Sequence, residues 1–241
     1  MKTKTISNNM IQKIAILGDF NPSFQTHHAL NDSIRTYLNI YNNNIQFDWI
    51  ATDVFDCKVV FEKQNYLGLW IAPGSPYKDM NNVLKAIKYI RENNIPTLGN
   101  CGGFQHMVIE FAKNVSGIHN PGHEEVDDDS SDLLIKKLSC SLLGEEEHLT
   151  ILNQKSQLSR IIGVKKMLGR YYCSFGLNEK YVNTLVAHGL QFTSISKDGN
   201  YRSFEIESHP FYIGTLFQPA LTSSSNDLNP IIKEFINFCL T

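Results

Sequence analysis

"LGNCGGFQ", residues 98–105, places a cysteine between glycines, directly after an apolar run and directly before an amphipathic one. Glycines on both sides of Cys101 allow the backbone to turn sharply without clashes of Cβ atoms. The pattern therefore predicts a strand, a tight turn that carries the thiol, and a helix that begins beneath it. The positive end of that helix favours a thiolate, which makes Cys101 a candidate nucleophile. An inert cysteine in a glycine-rich turn is the plainer interpretation.

Strand and helix patterns alternate on the amino-terminal side of this turn. The apolar runs are typical of buried strands, and the segments between them repeat apolar residues at helical spacing. The predicted strands are 13–18, 47–51, 67–72 and 96–99, and the predicted helices are 27–41 and the segment capped by Asp79. This alternation predicts an α/β fold with a mostly parallel central sheet, flanked by helices and joined by right-handed crossovers.

The candidate nucleophile stands at the edge of this sheet where ligands bind. In parallel sheets the ligand site lies beyond the carboxyl ends of the strands. Both "GNCGG" (99–103) and "PGSP" (73–76) stand at such predicted ends. The backbone N–H groups of Gly102 and Ser75 can then hold an oxyanion next to Cys101. An ordinary β-turn is the alternative interpretation of "PGSP".

The carboxy-terminal part of the chain has a different pattern. After about residue 150 come short strands and turns, which predict a small antiparallel part, and residues 230–240 form a final amphipathic helix. No linker rich in proline, glycine or serine divides the chain, so we expect a single domain over residues 1–241. Residues 1–12 are expected to be disordered or extended.

The composition argues against several classes of protein. The 22 basic and 24 acidic residues leave the chain nearly neutral, whereas a nucleic-acid-binding protein shows a basic stripe. No apolar stretch approaches the ~20 residues of a membrane helix. The start, "MKTKTISNNM" (1–10), lacks the apolar segment of a signal peptide. We therefore expect a cytoplasmic protein that binds neither nucleic acid nor a membrane.

Residues 72–118 closely resemble the class I glutamine amidotransferase domain of CTP synthase. The likeness continues through "HEEVD" (123–127), "GRYYCSF" (169–175) and residues 198–223. It covers essentially the whole chain from residue 13 onward and implies a flavodoxin-like class I amidotransferase fold. Because no synthetase domain precedes residue 13, we expect that the chain does not make CTP unaided.

The resemblance also implies a role for each matching residue. Cys101 would attack the carboxamide of glutamine and form a γ-glutamyl thioester, with Ser75 and Gly102 as oxyanion donors. A zwitterion needs both an anionic and a cationic partner. The residues that would bind the amino-acid end of glutamine are Gln105, Glu125 and Arg170. Considered alone, Glu125 is typical of a solvated acidic loop, and Arg170 is typical of a surface cation.

The chain departs from this family at the second catalytic element. The family carries F-H-P-E at the end of a strand, where His is the general base and Glu orients it. Here the stretch is "FQPA", residues 217–220. Gln218 cannot carry a proton, and Ala220 cannot orient a base. Losing positioned acid–base catalysis costs roughly 10²–10⁴-fold in rate, so ordinary glutaminase turnover is not expected unless another group serves.

Several histidines are candidates for that group. His123, which precedes "EEVD" (124–127), is the best of them. His106 is predicted on the polar, exposed face of the helix that follows Cys101, together with Glu110. The others are interpreted as structural residues, two at a helix start and one in a turn: His27, His28 and His209.

The five cysteines are scattered, and none is part of a C-x-x-C pair. This argues against a disulfide framework and against a zinc ribbon, so we expect free thiols, no metal and no cofactor. Two alternatives concern Cys173, three residues after Arg170: a disulfide with Cys101, or a metal site made of Cys and His. The spacing supports neither specifically, and a buried free cysteine is the ordinary interpretation.

Three hypotheses for the function follow. In the first, the chain is an amidotransferase-like enzyme that hydrolyses or transfers glutamine or a related amide through a thioester on Cys101. In the second, it is a catalytically inactive module that binds an amino acid or regulates a partner. The third, a cysteine hydrolase with Cys-His on the turn, is disfavoured because Gly102 stands where that His would be. The expected partners are a small amide and a separate synthetase or acceptor protein, with a homodimer left open.

Overall fold

The structure is a computed structural model that describes residues 11–42, 44–127 and 129–241. Its strands are β1 (Gln12–Leu17), β2 (Ile45–Ile50), β3 (Tyr66–Ile71), β4 (Thr97–Asn100), β5 (Pro121–His123), β6 (Asp132–Lys137), β7 (Glu146–Ile151), β8 (Lys166–Arg170), β9 (Phe175–Leu177), β10 (Leu190–Ile195), β11 (Tyr201–Ile206) and β12 (Tyr212–Thr215). Its α-helices are α1 (Gln25–Tyr41), α2 (Met80–Glu92), α3 (Gly102–Asn114), α4 (Gln157–Ile162), α5 (Val182–Ala187) and α6 (Pro230–Cys239). The expectation for residues 1–12 falls largely on residues 1–10, outside the described residues; β1 begins at Gln12.

Within the described ranges, the strands form one large sheet and one small one. The large sheet has nine strands in the order β2-β1-β3-β4-β12-β11-β10-β7-β8. The pairs from β2 to β12 are parallel, and the pairs from β12 to β8 are antiparallel. The small sheet has the order β5-β6-β9. The predicted α/β fold is confirmed, with the antiparallel part continuing the central sheet.

The parallel strands form where the sequence has short continuous apolar runs. Residues 14–17 of β1 and 69–71 of β3 are fully buried, because helices cover both faces of a parallel sheet. Helix α2 begins where the capping signal predicts. The carboxylate of Asp79 accepts a hydrogen bond from the N–H of Asn82 at 2.8 Å and satisfies one free donor of the first turn.

Helix α3 is where the prediction of an exposed polar face is wrong. His106 and Glu110 are both fully buried, because α2 packs against α3 on one side and β5 and β6 cover another. Glu110 is compensated by Arg91 of α2, which donates two hydrogen bonds to its carboxylate at 2.7 and 2.8 Å. The Nδ1–H of His106 donates to the carbonyl of Gly102 at 2.8 Å. These polar groups are therefore part of the core beneath the site.

No helix in the part of the chain that the structure describes combines the length and the apolarity needed to cross a membrane. The carboxyl ends of β3, β4 and β12, which are neighbours in the sheet, meet at one edge. That edge carries the turn after β3, the turn with Cys101 after β4, and the segment with Gln218 after β12. The candidate site is built there.

Candidate active site

Cys101 lies between β4 and α3 in a strained backbone conformation. Its φ of 51° and ψ of −106° fall in a region that residues with a side chain rarely adopt. Its N–H donates to the carbonyl of Thr215 in β12 at 2.9 Å, which fixes the turn to the neighbouring strand. Strain of this kind costs about 1–3 kcal/mol and is concentrated at functional sites. The predicted sharp turn is present.

The glycines next to Cys101 permit a close approach of helix and sheet. A Cβ on Gly103 would lie 2.6 Å from the carbonyl oxygen of Ile71 in β3. A Cβ on Gly102 would lie 2.9 Å from Ser75 Cβ and 3.0 Å from Ser75 N. The backbone of Gly102, the first residue of α3, therefore lies directly beside that of Ser75. The N–H of a first helical residue has no acceptor within its helix, so this donor is free for a ligand.

A cavity of about 590 Å³ opens beside Cys101. The thiol-bearing residue itself is only 7% exposed. The polar and nucleophilic side chains among the residues that line the cavity include Ser75, Cys101, Gln105, Glu125, Cys173 and Gln218. The structure thus brings together four of the residues that the sequence assigned to catalysis or substrate binding, and it adds Cys173.

Glu125 and Ser75 contact each other across the mouth of the cavity. The hydroxyl of Ser75 donates to Oε2 of Glu125 at 3.0 Å. Partial burial raises the pKa of the Glu125 carboxyl, and the hydrogen bond from Ser75 opposes that shift. The second carboxylate oxygen has no hydrogen bond from the described residues, so the site presents an acceptor to the cavity.

His123, the sequence's best candidate for a base, lies behind Gln105 and does not line the cavity. Its Nδ1 accepts the N–H of Glu125 at 3.2 Å, so the proton is on Nε2, which donates to Oε1 of Gln105 at 3.1 Å. The amide of Gln105 in turn donates to the carbonyl of Phe175 at 3.0 Å. Burial and the neighbouring His106 lower the pKa of His123 to about 3. A neutral imidazole here orients Gln105.

Arg170 is not brought to the cavity. It is a half-exposed residue at the end of β8, where its Nε lies 2.5 Å from Oε1 of Glu146, its partner in the register of β7. Its Nη1 donates to the carbonyl of Leu221 at 3.1 Å. The contribution of Arg170 to this edge comes from its backbone, whose carbonyl accepts the N–H of Gln218 at 2.8 Å.

Gln218 follows β12, at the position where the sequence resemblance predicts the base of the family motif. It lines the cavity and is 2% exposed, and its Nε2 has no hydrogen-bond partner among the described residues. A buried amide donor without a partner is costly, which indicates a group that a ligand satisfies. Ala220 lies two residues further on, in a short 3₁₀ turn (Pro219–Thr222) that packs against α1. Neither side chain can transfer a proton.

Cys173 is a buried free cysteine, as the sequence predicts, and it lines the same cavity as Cys101. The neighbouring Cys101, followed by burial, raises the pKa of Cys173 well above its ordinary value, so this thiol stays protonated. The sulfur of Cys101 lies 4.0 Å from the carbonyl oxygen of Tyr172. Both cysteines are free. No group of three or more metal-binding side chains is found in the described ranges.

The three histidines that the sequence assigns to structural roles, His27, His28 and His209, all have structural contacts; the ring of His28 lies 2.7 Å from the carbonyl oxygen of Pro22. His27 is buried in α1, where its Nδ1 accepts the N–H of Asn21 and its Nε2–H donates to the carbonyl of Pro73 at 2.9 Å. It thereby supports the turn that carries Ser75. His209, as predicted, is a turn residue: its Nδ1 accepts the N–H of Phe211 at 3.2 Å.

Comparisons with known proteins identify the family and the fold of the chain. The family model described as "Glutamine amidotransferase class-I" matches residues 25–238. A CTP synthase of Dehalococcoides mccartyi is 29% identical over 236 residues, which cover 93% of this chain and 43% of that protein. A CTP synthase of Saccharolobus solfataricus is 29% identical over 252 residues, covering 97% and 46%. The chain thus spans less than half the length of these relatives.

The fold is also similar to a solved structure. The glutaminase domain of a Trypanosoma brucei CTPS, solved with bound acivicin, superposes with a TM-score of 0.82 at 19% sequence identity. The match covers 95% of this chain and 94% of that one. The flavodoxin-like fold expected from the sequence is therefore confirmed.

Proposed function

The chain belongs to the class I glutamine amidotransferase family, and from this premise we propose that a small carboxamide such as glutamine acylates it at Cys101. The observation that carries the proposal is the conformation of Cys101: a nucleophilic residue at positive φ, facing a cavity and lying at the amino terminus of α3. The helix end favours the anionic sulfur and the developing oxyanion.

The reaction proceeds by attack of the Cys101 thiolate on the carboxamide carbon. The new S–C bond forms a tetrahedral intermediate, whose oxyanion accepts hydrogen bonds from the N–H groups of Ser75 and Gly102. The C–N bond then breaks, and the nitrogen leaves as ammonia after taking up one proton. The product is a thioester on Cys101.

Cys173 supplies that proton in this proposal. Cys173 and Cys101 line the same cavity. Because the pKa of Cys173 is raised well above the ordinary value, its thiol holds its proton until a basic nitrogen develops in the intermediate. Solvent then returns a proton to Cys173, so the thiol is regenerated in each acylation.

Hydrolysis of the thioester is the slow step. Deacylation needs a base that activates water, and Gln218 cannot serve as one. Without that base the step is slower by roughly 10²–10⁴-fold. The protein is therefore expected to accumulate as the thioester. The ammonia released during acylation passes to a separate synthetase, and water or another acceptor later takes the acyl group from Cys101.

The test is intact-protein mass spectrometry after mixing with glutamine, together with an ammonia assay. We expect an acyl adduct on the wild type, with ammonia released in step with it. The adduct is expected to persist in Cys140→Ala, a matched control because Cys140 is a free thiol that is exposed. Cys173→Ala should slow adduct formation roughly tenfold to hundredfold, the effect of a hydrogen bond to a charged group. An adduct that persists in Cys101→Ala would contradict the proposal.

A second candidate function is a binding module without chemistry. The observation that favours it is Gln218, whose buried amide nitrogen has no partner among the described residues and lies where the family has a base. In that case glutamine binds with equal affinity to the wild type and to Cys101→Ser, and neither ammonia nor an adduct forms. Calorimetry on the two proteins, run beside the mass measurement, separates the hypotheses.

A further inference from the structure

We propose that the carboxamide taken up by this site carries an amine and no free carboxylate, as in the amino-terminal glutamine residue of a peptide. The inference rests on the proposed function above and names its substrate class. It starts from the charges of the cavity. Among the described residues that line it, Glu125 is an acid, and none is a lysine, arginine or histidine. The lining therefore matches an ammonium group and leaves a carboxylate without a cationic partner.

The cation that would bind a carboxylate is engaged elsewhere. Arg170, assigned to this role by the resemblance, lies outside the lining and pairs with Glu146 at 2.5 Å. A second contact, from its Nη1 to the carbonyl of Leu221, directs the guanidinium along the outer surface. The pairing follows the β7–β8 register, in which Glu146 is opposite Arg170.

A free carboxylate would be unfavourable in this cavity. Burying an unpaired charge is costly, and the carboxylate of Glu125 would repel it at short range. An ammonium group has the opposite preference, since it can donate a charge-assisted hydrogen bond to the oxygen of Glu125 that Ser75 leaves unoccupied. The electrostatics thus favour an amine over a zwitterion.

The shape of the cavity favours a longer ligand than a free amino acid. Its volume of about 590 Å³ lies within the range of pockets that hold drug-sized ligands. Three large apolar side chains both line it and are exposed: Phe24, Leu143 and Tyr172. Such a rim gives an apolar contact surface to whatever follows the blocked carboxylate.

Gln218 supplies the remaining contact. Its buried Nε2 is an uncharged donor without a partner among the described residues. A peptide carbonyl is a matching uncharged acceptor, and pairing the two groups removes the cost of the unsatisfied amide. The cavity therefore has a nucleophile for the side-chain carboxamide, a carboxylate for the amine and an amide donor for the first peptide carbonyl.

The test measures binding by calorimetry to Cys101→Ala, so that it does not depend on chemistry; Cys101→Ser serves if the first variant is unstable. The probes are L-glutamine, the dipeptide amide glutaminyl-alaninamide and its N-acetylated form. We expect the dipeptide amide to bind roughly tenfold or more tightly than either of the other two. Adding Glu125→Gln should remove this advantage, whereas Glu124→Gln, the adjacent acid outside the lining, should keep it.

The inference is overturned if free glutamine binds as tightly as the dipeptide amide, or if no probe binds. Loss of glutamine binding in Arg170→Ala would show that Arg170 binds the carboxylate of the zwitterion. This result would also overturn the inference. The acylation assay on wild type with the same probes is read separately. If the dipeptide amide binds preferentially but no adduct forms, the proposed chemistry fails while the ligand class stands.

Discussion

The strands β4 and β12 are parallel neighbours in the large sheet, and Asn100 lies opposite Thr215 where both end at the cavity. Beyond β4, the chain has a strained cysteine, glycines that allow close packing, and a helix that begins beneath the thiol. Beyond β12, the backbone is equally well formed. The N–H of Gln218 donates to the carbonyl of Arg170, and the carbonyl of Gln218 accepts the N–H of Leu221 at 3.0 Å.

The two strand ends therefore differ in chemistry and not in fold. The end of β4 carries a strained cysteine at the start of a helix. The end of β12 carries the amide of Gln218 and the methyl group of Ala220, where the sequence resemblance predicts a base and its orienting acid. A nucleophile without a base can be acylated, since a thiolate attacks unaided, but it releases its acyl group slowly. The comparison therefore separates the acylation of Cys101, which needs only the end of β4, from the hydrolysis of the thioester, which needs a base at the end of β12.

The largest expected effect comes from restoring the end of β12. In the double variant with Gln218→His and Ala220→Glu, the rate of thioester hydrolysis should rise by roughly 10²–10⁴-fold, the contribution of positioned acid–base catalysis. Continuous ammonia release under saturating amide measures it. Ala220→Glu alone is the control and should give no gain, because a carboxylate without an imidazole has nothing to orient. An unchanged rate of ammonia release in the double variant would show that the side chains at positions 218 and 220 do not limit the hydrolysis of the thioester.

The next effect comes from damaging the end of β4. Gly102→Ala places a Cβ 2.9 Å from Ser75 Cβ and 3.0 Å from Ser75 N, which pushes the two N–H donors apart. The acylation rate should fall by roughly 10²–10³-fold, the usual cost of losing an oxyanion donor. Time-resolved mass spectrometry reports the rate. Ser75→Ala, which keeps the N–H and removes only the hydroxyl, should cost far less, and equal losses would argue against an oxyanion role for these donors.

The smallest effect concerns the free energy of unfolding at low pH and its dependence on His106, in the helix that follows β4. Burial lowers the pKa of His106 to about 4, below its ordinary value of about 6.5. The unfolded chain then binds a proton that the folded chain excludes, so the free energy of unfolding falls as the pH drops from 6.5 toward 4. His106→Asn should make this dependence shallower by about 1.4 kcal/mol per pH unit within that window.

Urea denaturation at several pH values measures the slope. His188→Asn is the matched control, because His188 is exposed and should leave the slope unchanged. A slope that is the same in His106→Asn as in the wild type would show that His106 is protonated in the folded protein.

The fold and the sharp turn at Cys101 could be predicted from the sequence because both depend on local patterns. Apolar runs alternating with helical spacing specify the parallel half of the sheet, and a cysteine between glycines after a strand specifies the sharp turn. Asp79 begins its helix as a capping residue should. These signals are complete within windows of 10 to 20 residues.

The failures concern residues whose surroundings come from distant parts of the chain. His106 and Glu110 occupy positions that suit an exposed helix face until β5, β6 and Arg91 cover them. Cys173 is a buried free cysteine as predicted, but its place beside Cys101 in the cavity, 72 residues apart in the chain, follows from no spacing rule. Pairing between neighbouring strands binds the side chain of Arg170 to Glu146 on the outer surface. Local sequence patterns do not predict contacts between segments that are distant in the chain.

The backbone conformation of Cys101 bears on selection as well as on mechanism. A glycine at this position would adopt the same φ and ψ without the cost of about 1–3 kcal/mol that a side chain incurs there. Natural domains are only about 5–15 kcal/mol more stable than their unfolded states, so this is a sizeable fraction of the margin. A protein that merely held a ligand would become more stable by giving up the side chain. The acylation that we propose for Cys101 gives a reason to keep the sulfur at that cost.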